Sequence, residues 1–264
     1  SMKPIKKFVI LLLILLLGAL HASAGAKNPN TFILATYGTL RTLDPAACYD
    51  TTGGQRILNI YETLVFYDGS KTDAFIPVLA TQVPTLENGG ISADGTLYSF
   101  PIRKGVKFHN GADLTPQDVA YSFKRSMIAD PDGGPMWMLL EALTGKSSTR
   151  DDNGKIRPGI FEMIDDAISI RGDSVILRLP RPYPPLMGIL ANSSAVVVDQ
   201  EWAIANGCWN GRIDQAQKFN NPAPGYEPLS KIANGTGAYR LKSWEPSKQF
   251  VFERFDEYWG ARPM

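Results

Sequence analysis

The sequence predicts a mixed α/β protein, and three stretches carry that prediction. From Leu97 to Arg103, Tyr98, Phe100 and Ile102 alternate with Ser99, Pro101 and Arg103, the period-two pattern of a half-buried strand, and Thr115-Pro116-Gln117-Asp118 then opens a helix. Asp166 to Leu179 alternates about Gly172-Asp173 as a hairpin. Gly235 to Trp259 gives two more alternating strands, one carrying Tyr239 and Leu241, the other Phe250 and Phe252. An apolar fraction of 44% and 24 glycines suit an ordinary globular protein and give no sign of disorder.

At the start of the chain, Ser1 ahead of Met2 reads as an expression scar. Lys3, Lys6 and Lys7 precede the apolar run Phe8–Leu17, and Ala22-Ser23-Ala24 supplies small residues at a cleavage point, so residues 1–26 read as a signal peptide. The apolar run is about half of the roughly 20 residues a membrane-spanning helix needs. No cysteine follows at the position of lipid attachment, so the mature chain is expected to be soluble. Losing the three lysines moves the net charge from +1 to about −2, which removes the basic footprint of a nucleic-acid binder.

Taken in order, Thr31 to Tyr37 is a short apolar run that predicts a buried strand. Ile57, Leu58, Tyr61 and Leu64 mark a helix, Leu64-Val65-Phe66-Tyr67 leads to an Asp68-Gly69 turn, and Pro77-Val78-Leu79-Ala80 follows. After the strand at 97–103, Arg103-Lys104-Gly105 turns the chain, Val106-Lys107-Phe108 resumes the alternation, and Asn110-Gly111 offers the positive dihedrals of a tight reversal. Thr115 stands as N-cap, with Pro116 at the first helical position and Asp118 completing a variant capping box. Val119, Phe123 and Met127 then draw an apolar stripe down one side of an amphipathic helix. Asp130 to Pro135 reads as a loop and Met136-Trp137-Met138-Leu139-Leu140 as the start of another helix. Pro180, Pro182, Pro184 and Pro185 stop the second hairpin strand, Ala195 to Val198 is expected as a returning strand, and Asn206 to Pro228 as a long irregular connection.

Catalytic and metal motifs fail one by one. Gly145-Lys146-Ser147 resembles the end of a phosphate loop, but Leu140 stands where its upstream glycine is required. Asp151-Asp152-Asn153-Gly154 lacks the ligand spacing and closing glutamate of an EF-hand. With His21 in the leader, His109 is the one mature histidine, and no cysteine or second histidine accompanies it to hold zinc. A Gly-x-Ser-x-Gly elbow does not occur, so no enzyme, cofactor or metal is expected. The two cysteines, Cys48 and Cys208, could pair in an oxidising compartment, stabilising the fold by about 4 to 5 kcal/mol in the chain-entropy account, or stand as separate thiols.

The run Arg103-Lys104-Gly105-Val106-Lys107-Phe108-His109-Asn110-Gly111, with Leu114-Thr115-Pro116-Gln117-Asp118-Val119-Ala120-Tyr121-Ser122-Phe123, resembles a signature of the periplasmic solute-binding proteins of the peptide and nickel ABC importer family. Two further landmarks of that family stand in order: Leu43-Asp44-Pro45, and Asn234-Gly235-Thr236-Gly237-Ala238-Tyr239-Arg240-Leu241 leading to Tyr258-Trp259-Gly260. The glycines of the last landmark serve tight backbone turns, since no lysine follows Gly237.

The resemblance implies a type II periplasmic-binding-protein-like fold. Residues 27–57 and 197–264 would form the first part of the large lobe and residues 58–196 an inserted mixed β/α subdomain. The Tyr-Trp-Gly landmark falls near the middle of family members, so the second lobe is expected to be absent and the chain to be a fragment or a shortened form. The segment from Ala46 to Gly53 resembles the family stretch that lines the ligand cleft, which singles out Tyr49, Asp50 and Thr51 as ligand contacts; alternatively the segment is a plain surface loop, with Asp50 capping the following helix. Trp137 falls in a region that reaches the cleft with an aromatic ring, and is either a ligand contact or a core tryptophan. The implied role is that of a monomeric substrate receptor of an ABC importer. It would bind peptides, or else a nickel complex, haem or oligosaccharide, and would work with a membrane permease. With a leader and no lipid cysteine, a periplasmic address fits. The alternative is a protein-interaction module derived from such a receptor, without ligand binding of its own.

Overall fold

The computed structural model describes residues 28 and 30–261, so the proposed scar and the leader at 1–26 lie outside the described residues. The chain divides into a unit ending at Gly38 and a second from Thr39 onward. Within the first, Thr31 to Gly38 form no regular structure, and Phe32, Ile33, Leu34 and Tyr37 are exposed. This corrects the expectation of a buried strand. A strand exists through hydrogen bonds to a neighbour, and no described strand of that unit supplies one.

The second unit carries, in chain order, α1 (Thr51–Ile60), β1 (Val65–Tyr67), β2 (Phe75–Pro77), β3 (Leu97–Pro101), α2 (Pro116–Ala129), α3 (Trp137–Thr144), α4 (Ile160–Asp166), β4 (Ile168–Arg171), β5 (Ser174–Arg178), α5 (Leu186–Leu190), α6 (Gln200–Ala205), β6 (Tyr239–Glu245) and β7 (Gln249–Arg254). All its strand pairs are antiparallel among the described residues: β1 with β2, β3-β5-β4 with β5 central, and β6 with β7. Phe100 and Ile170 both stand opposite Val175, and the hairpin reverses at Gly172, where φ is 59°.

The capping box forms as its sequence requires. Thr115 Oγ1 accepts from the Asp118 amide, while Asp118 Oδ2 accepts from the Thr115 amide at 2.8 Å. Asp118 Oδ1 also accepts from the Gln200 amide at 2.9 Å, so one carboxylate sets the starts of α2 and α6 together. Val119, Phe123 and Met127 are buried, yet α2 is covered on far more than that stripe: Tyr121, Ser122, Arg125 and Ser126 are buried too. The helix lies against β4, β5, α4 and α6 rather than on a surface, and its polar side chains bond inward. Ser122 Oγ donates to the Asp118 carbonyl and accepts from the Val198 amide, and Tyr121 donates to the Trp209 carbonyl.

Ala195 to Val198 is not a strand. Its residues are buried, but the Val197 amide donates to the Glu62 carbonyl and the Val198 amide to Ser122, so the backbone is satisfied by single partners instead of a ladder. The helices α4, α5 and α6 also lie where the sequence shows no helical period; each has seven residues or fewer.

The family landmarks close on one another. The His109 amide donates to the Gly235 carbonyl and the His109 ring bonds the Gly237 carbonyl, while Asn110 bonds Asn234 and Asp199. Gly235 sits so close to the end of α1 that a Cβ there would lie 2.1 Å from the Ile60 carbonyl oxygen. Just beyond α1, buried Glu62 accepts from Thr236 Oγ1 at 2.8 Å, Tyr258 Oη at 2.7 Å and Trp259 Nε1 at 2.8 Å. The Arg103 guanidinium lies over the Trp259 ring, 4.3 Å from its centroid.

A candidate ligand-facing wall

The wall begins with the turn at Leu43-Asp44-Pro45. Asp44 is buried and receives both Nη groups of Arg125 from α2, at 2.5 and 3.1 Å. Its Oδ1 accepts from the Ala46 amide and its carbonyl accepts from the Ala47 and Cys48 amides. A buried charge pair with every Asp44 oxygen engaged clamps this loop to α2.

Fixed there, the loop presents Tyr49, Asp50 and Thr51, all exposed. Asp50 is the N-cap of α1, accepting from the Gly53 amide at 2.7 Å. Gly53 is required by space: a Cβ would lie 2.2 Å from Cys48 Sγ. Facing the loop, residues 130–135 pack onto it, with Gly134 against the Ala46 carbonyl, and deliver Trp137 as the first residue of α3. Trp137 is 42% exposed and Tyr49 53%, and the indole Nε1 donates to Tyr49 Oη at 3.2 Å. Two aromatic residues singled out separately in the sequence thus meet at the surface. The core reading of Trp137 does not hold; the core of that helix is Leu139, Leu140 and Leu143.

Cys48 and Cys208 are free, buried thiols. They stand on different groups: Cys48 Sγ is 3.8 Å from Asp50 Oδ2, and Cys208 Sγ is 3.8 Å from Arg125 Nη1. Burial pushes each thiol up to about 11, which lowers its thiolate fraction at neutral pH. Elsewhere, burial raises the Glu62 carboxyl above its ordinary value despite three donors, and burial lowers His109. Among the described residues no group of three or more His, Cys, Asp or Glu gathers as a metal site.

Sequence reasoning missed Arg125 as the partner of Asp44, and missed Glu62. The signal for Glu62 was present: one carboxylate between Tyr61 and the apolar run Leu64-Val65, a place where a charge needs partners.

The family model of the bacterial extracellular solute-binding proteins, family 5, matches residues 74–264. The dipeptide-binding protein of Escherichia coli strain K12 is 26% identical over 252 residues, covering 91% of this chain and 40% of that protein. Among solved structures, DppA of Helicobacter pylori in complex with the peptide STSA superposes with a TM-score of 0.59 at 22% identity, over 85% of this chain and 39% of that one. Listeria monocytogenes OppA bound to peptide superposes with a TM-score of 0.61 at 19% identity, over 86% and 39%. The chain therefore spans about two fifths of the relatives it matches, and its fold is part of a periplasmic-binding-protein lobe. On the match of the family model across most of its length, the chain belongs to the bacterial extracellular solute-binding proteins of family 5.

Proposed function

We propose that this chain forms one wall of the ligand cleft in an extracytoplasmic substrate receptor of an ABC importer, and that its ligands are peptides. The observation that carries the reading is the exposed Tyr49–Trp137 pair, held on a loop clamped by Asp44 and Arg125. Rigid aromatic faces with a polar edge suit a ligand whose side chains vary, and the neighbouring backbone at 46–53 suits the unpaired N–H and C=O groups of an extended peptide. Relatives named for dipeptide and oligopeptide binding support the ligand class. Thr51 is exposed as the first residue of α1, while the Asp50 carboxylate is engaged in capping that helix. In this reading residues 58–196 are an inserted subdomain, consistent with the sheet β3-β5-β4 closing between Leu97 and Arg178. The chain has no turnover of its own and delivers ligand to a membrane permease.

Thermal melts of the chain with di- to tetrapeptides test this, with Trp137→Ala as control. A ligand at 100 times its Kd adds about 2.7 kcal/mol to the native state. We expect an upward shift with peptides that Trp137→Ala abolishes without lowering the ligand-free melt. No shift with any peptide at millimolar concentration would refute the reading.

A further inference from the structure

A groove of about 540 Å³ lies between the β1–β2 turn and α5, with Met138 of α3 in its lining. Its lining includes Phe75, Met138, Pro184, Pro185 and Met187, together with Asp73, the one charged side chain among the residues that line it. Its elements adjoin those of the Tyr49–Trp137 wall along the chain: Met138 follows Trp137 in α3, and Asn192, also in the lining, precedes Ser193, whose side chain lies against Gly54 of α1. Met138 and Met187 are half-buried and Asp73 is exposed at the rim, with no ion pair among the described residues. The nearby Lys71 is engaged by Asp68 at 2.5 Å.

We infer that this groove takes the side chain of a basic residue of the ligand, lysine or arginine. The chemistry is that of a snorkelling chain. Methionine and proline surfaces cover the three or four methylenes, and a single carboxylate at the mouth meets the charge where it is still in water. A purely apolar occupant would leave the Asp73 carboxylate at the rim without a counter-charge, and an acidic one would bring like charges together. Methionine suits such a role because its flexible thioether adapts to stems of different length. The inference rests on the Tyr49–Trp137 wall being ligand-facing.

Methyl-labelled methionine and indole NMR on the whole chain separates the two readings. Ala-Lys-Ala, Ala-Glu-Ala and Ala-Leu-Ala are titrated against the wild type, Asp73→Asn and Met187→Ala. We expect Ala-Lys-Ala to shift the Met138 and Met187 methyls and the Trp137 indole, with affinity falling about 3- to 10-fold in Asp73→Asn, and Ala-Glu-Ala to leave the methyls unmoved. Shifts at Trp137 with all three peptides but none at the methyls would overturn the groove assignment and keep the wall. Equal methyl shifts from the three peptides would overturn the charge argument. Silence at every probe would overturn both readings.

Discussion

The indole Nε1 of Trp137 donates to the hydroxyl of Tyr49 at 3.2 Å, joining a loop before α1 to the first turn of α3. Both rings are exposed, so the bond competes with water. Its stability contribution is expected to be small, and Tyr49→Phe should change the free energy of unfolding by no more than about 0.5 kcal/mol. Urea melts read that value, while peptide titration reads whether the aromatic face is used. A loss of more than 2 kcal/mol would mean that the pair is structural.

The Asp44–Arg125 pair should behave in the opposite way. Removing the guanidinium in Arg125→Met leaves a carboxylate buried without its counter-charge, which costs about 3–5 kcal/mol. Asp44→Asn combined with Arg125→Met should recover part of that loss, and a double-mutant cycle in urea measures the coupling. Additive losses would show that the two side chains act independently.

Glu62 and His109 give stability two opposed dependences on pH. The Glu62 carboxyl is raised in the folded state above its ordinary 4.5, so the folded chain holds a proton that the unfolded chain releases. Its contribution is therefore greatest at acid pH and declines as pH climbs from 4.5 through the folded value. His109 is lowered from 6.5, so the unfolded chain binds its proton first and stability is lost as pH falls from 6.5 through the folded value. Melting temperatures between pH 4 and 8 for Glu62→Gln and His109→Gln should each remove one slope. Parallel profiles for wild type and both variants would refute the assignment.

Thiol chemistry offers a fourth check. A thiol near 11 instead of 9.0 carries about 100-fold less thiolate at neutral pH, before shielding is counted. In the native chain, iodoacetamide should label Cys48 and Cys208 slowly and, in urea, rapidly. The unreduced protein should show two alkylatable thiols by mass.

Gly235→Ala tests the close approach at the end of α1. The added methyl would meet a backbone carbonyl that cannot rotate away, so a loss of about 1–3 kcal/mol is expected. Gly69→Ala is a contrasting control, since nothing lies within 4 Å of its Cβ and only the positive φ of 61° is strained.

Local signals in the sequence were readable because their partners lie within a few residues. The Thr115–Asp118 box, the reversal at Gly172 and the β6–β7 hairpin all formed where the pattern put them. Ala195 to Val198 misled because an apolar, β-branched run describes burial, and burial here came with backbone bonds to Glu62 and Ser122 instead of a strand. The short helices α4 to α6 are held by their neighbours and leave too few turns to show a period. The site followed the same rule: Tyr49 and Trp137 were each marked by resemblance, but their contact depends on Gly134 packing over Ala46, which no spacing in the sequence encodes.

The carboxylate of Glu62 also imposes an order of events on synthesis. Its donors Thr236 and Tyr258 follow it by 174 and 196 residues, so a ribosome must deliver almost all of the second unit before that charge is satisfied. Until then α1 ends beside an acid that water must keep solvated, and the nascent chain cannot close around it. Closure of the second unit around the end of α1 therefore waits for the segment that carries Thr236 and Tyr258.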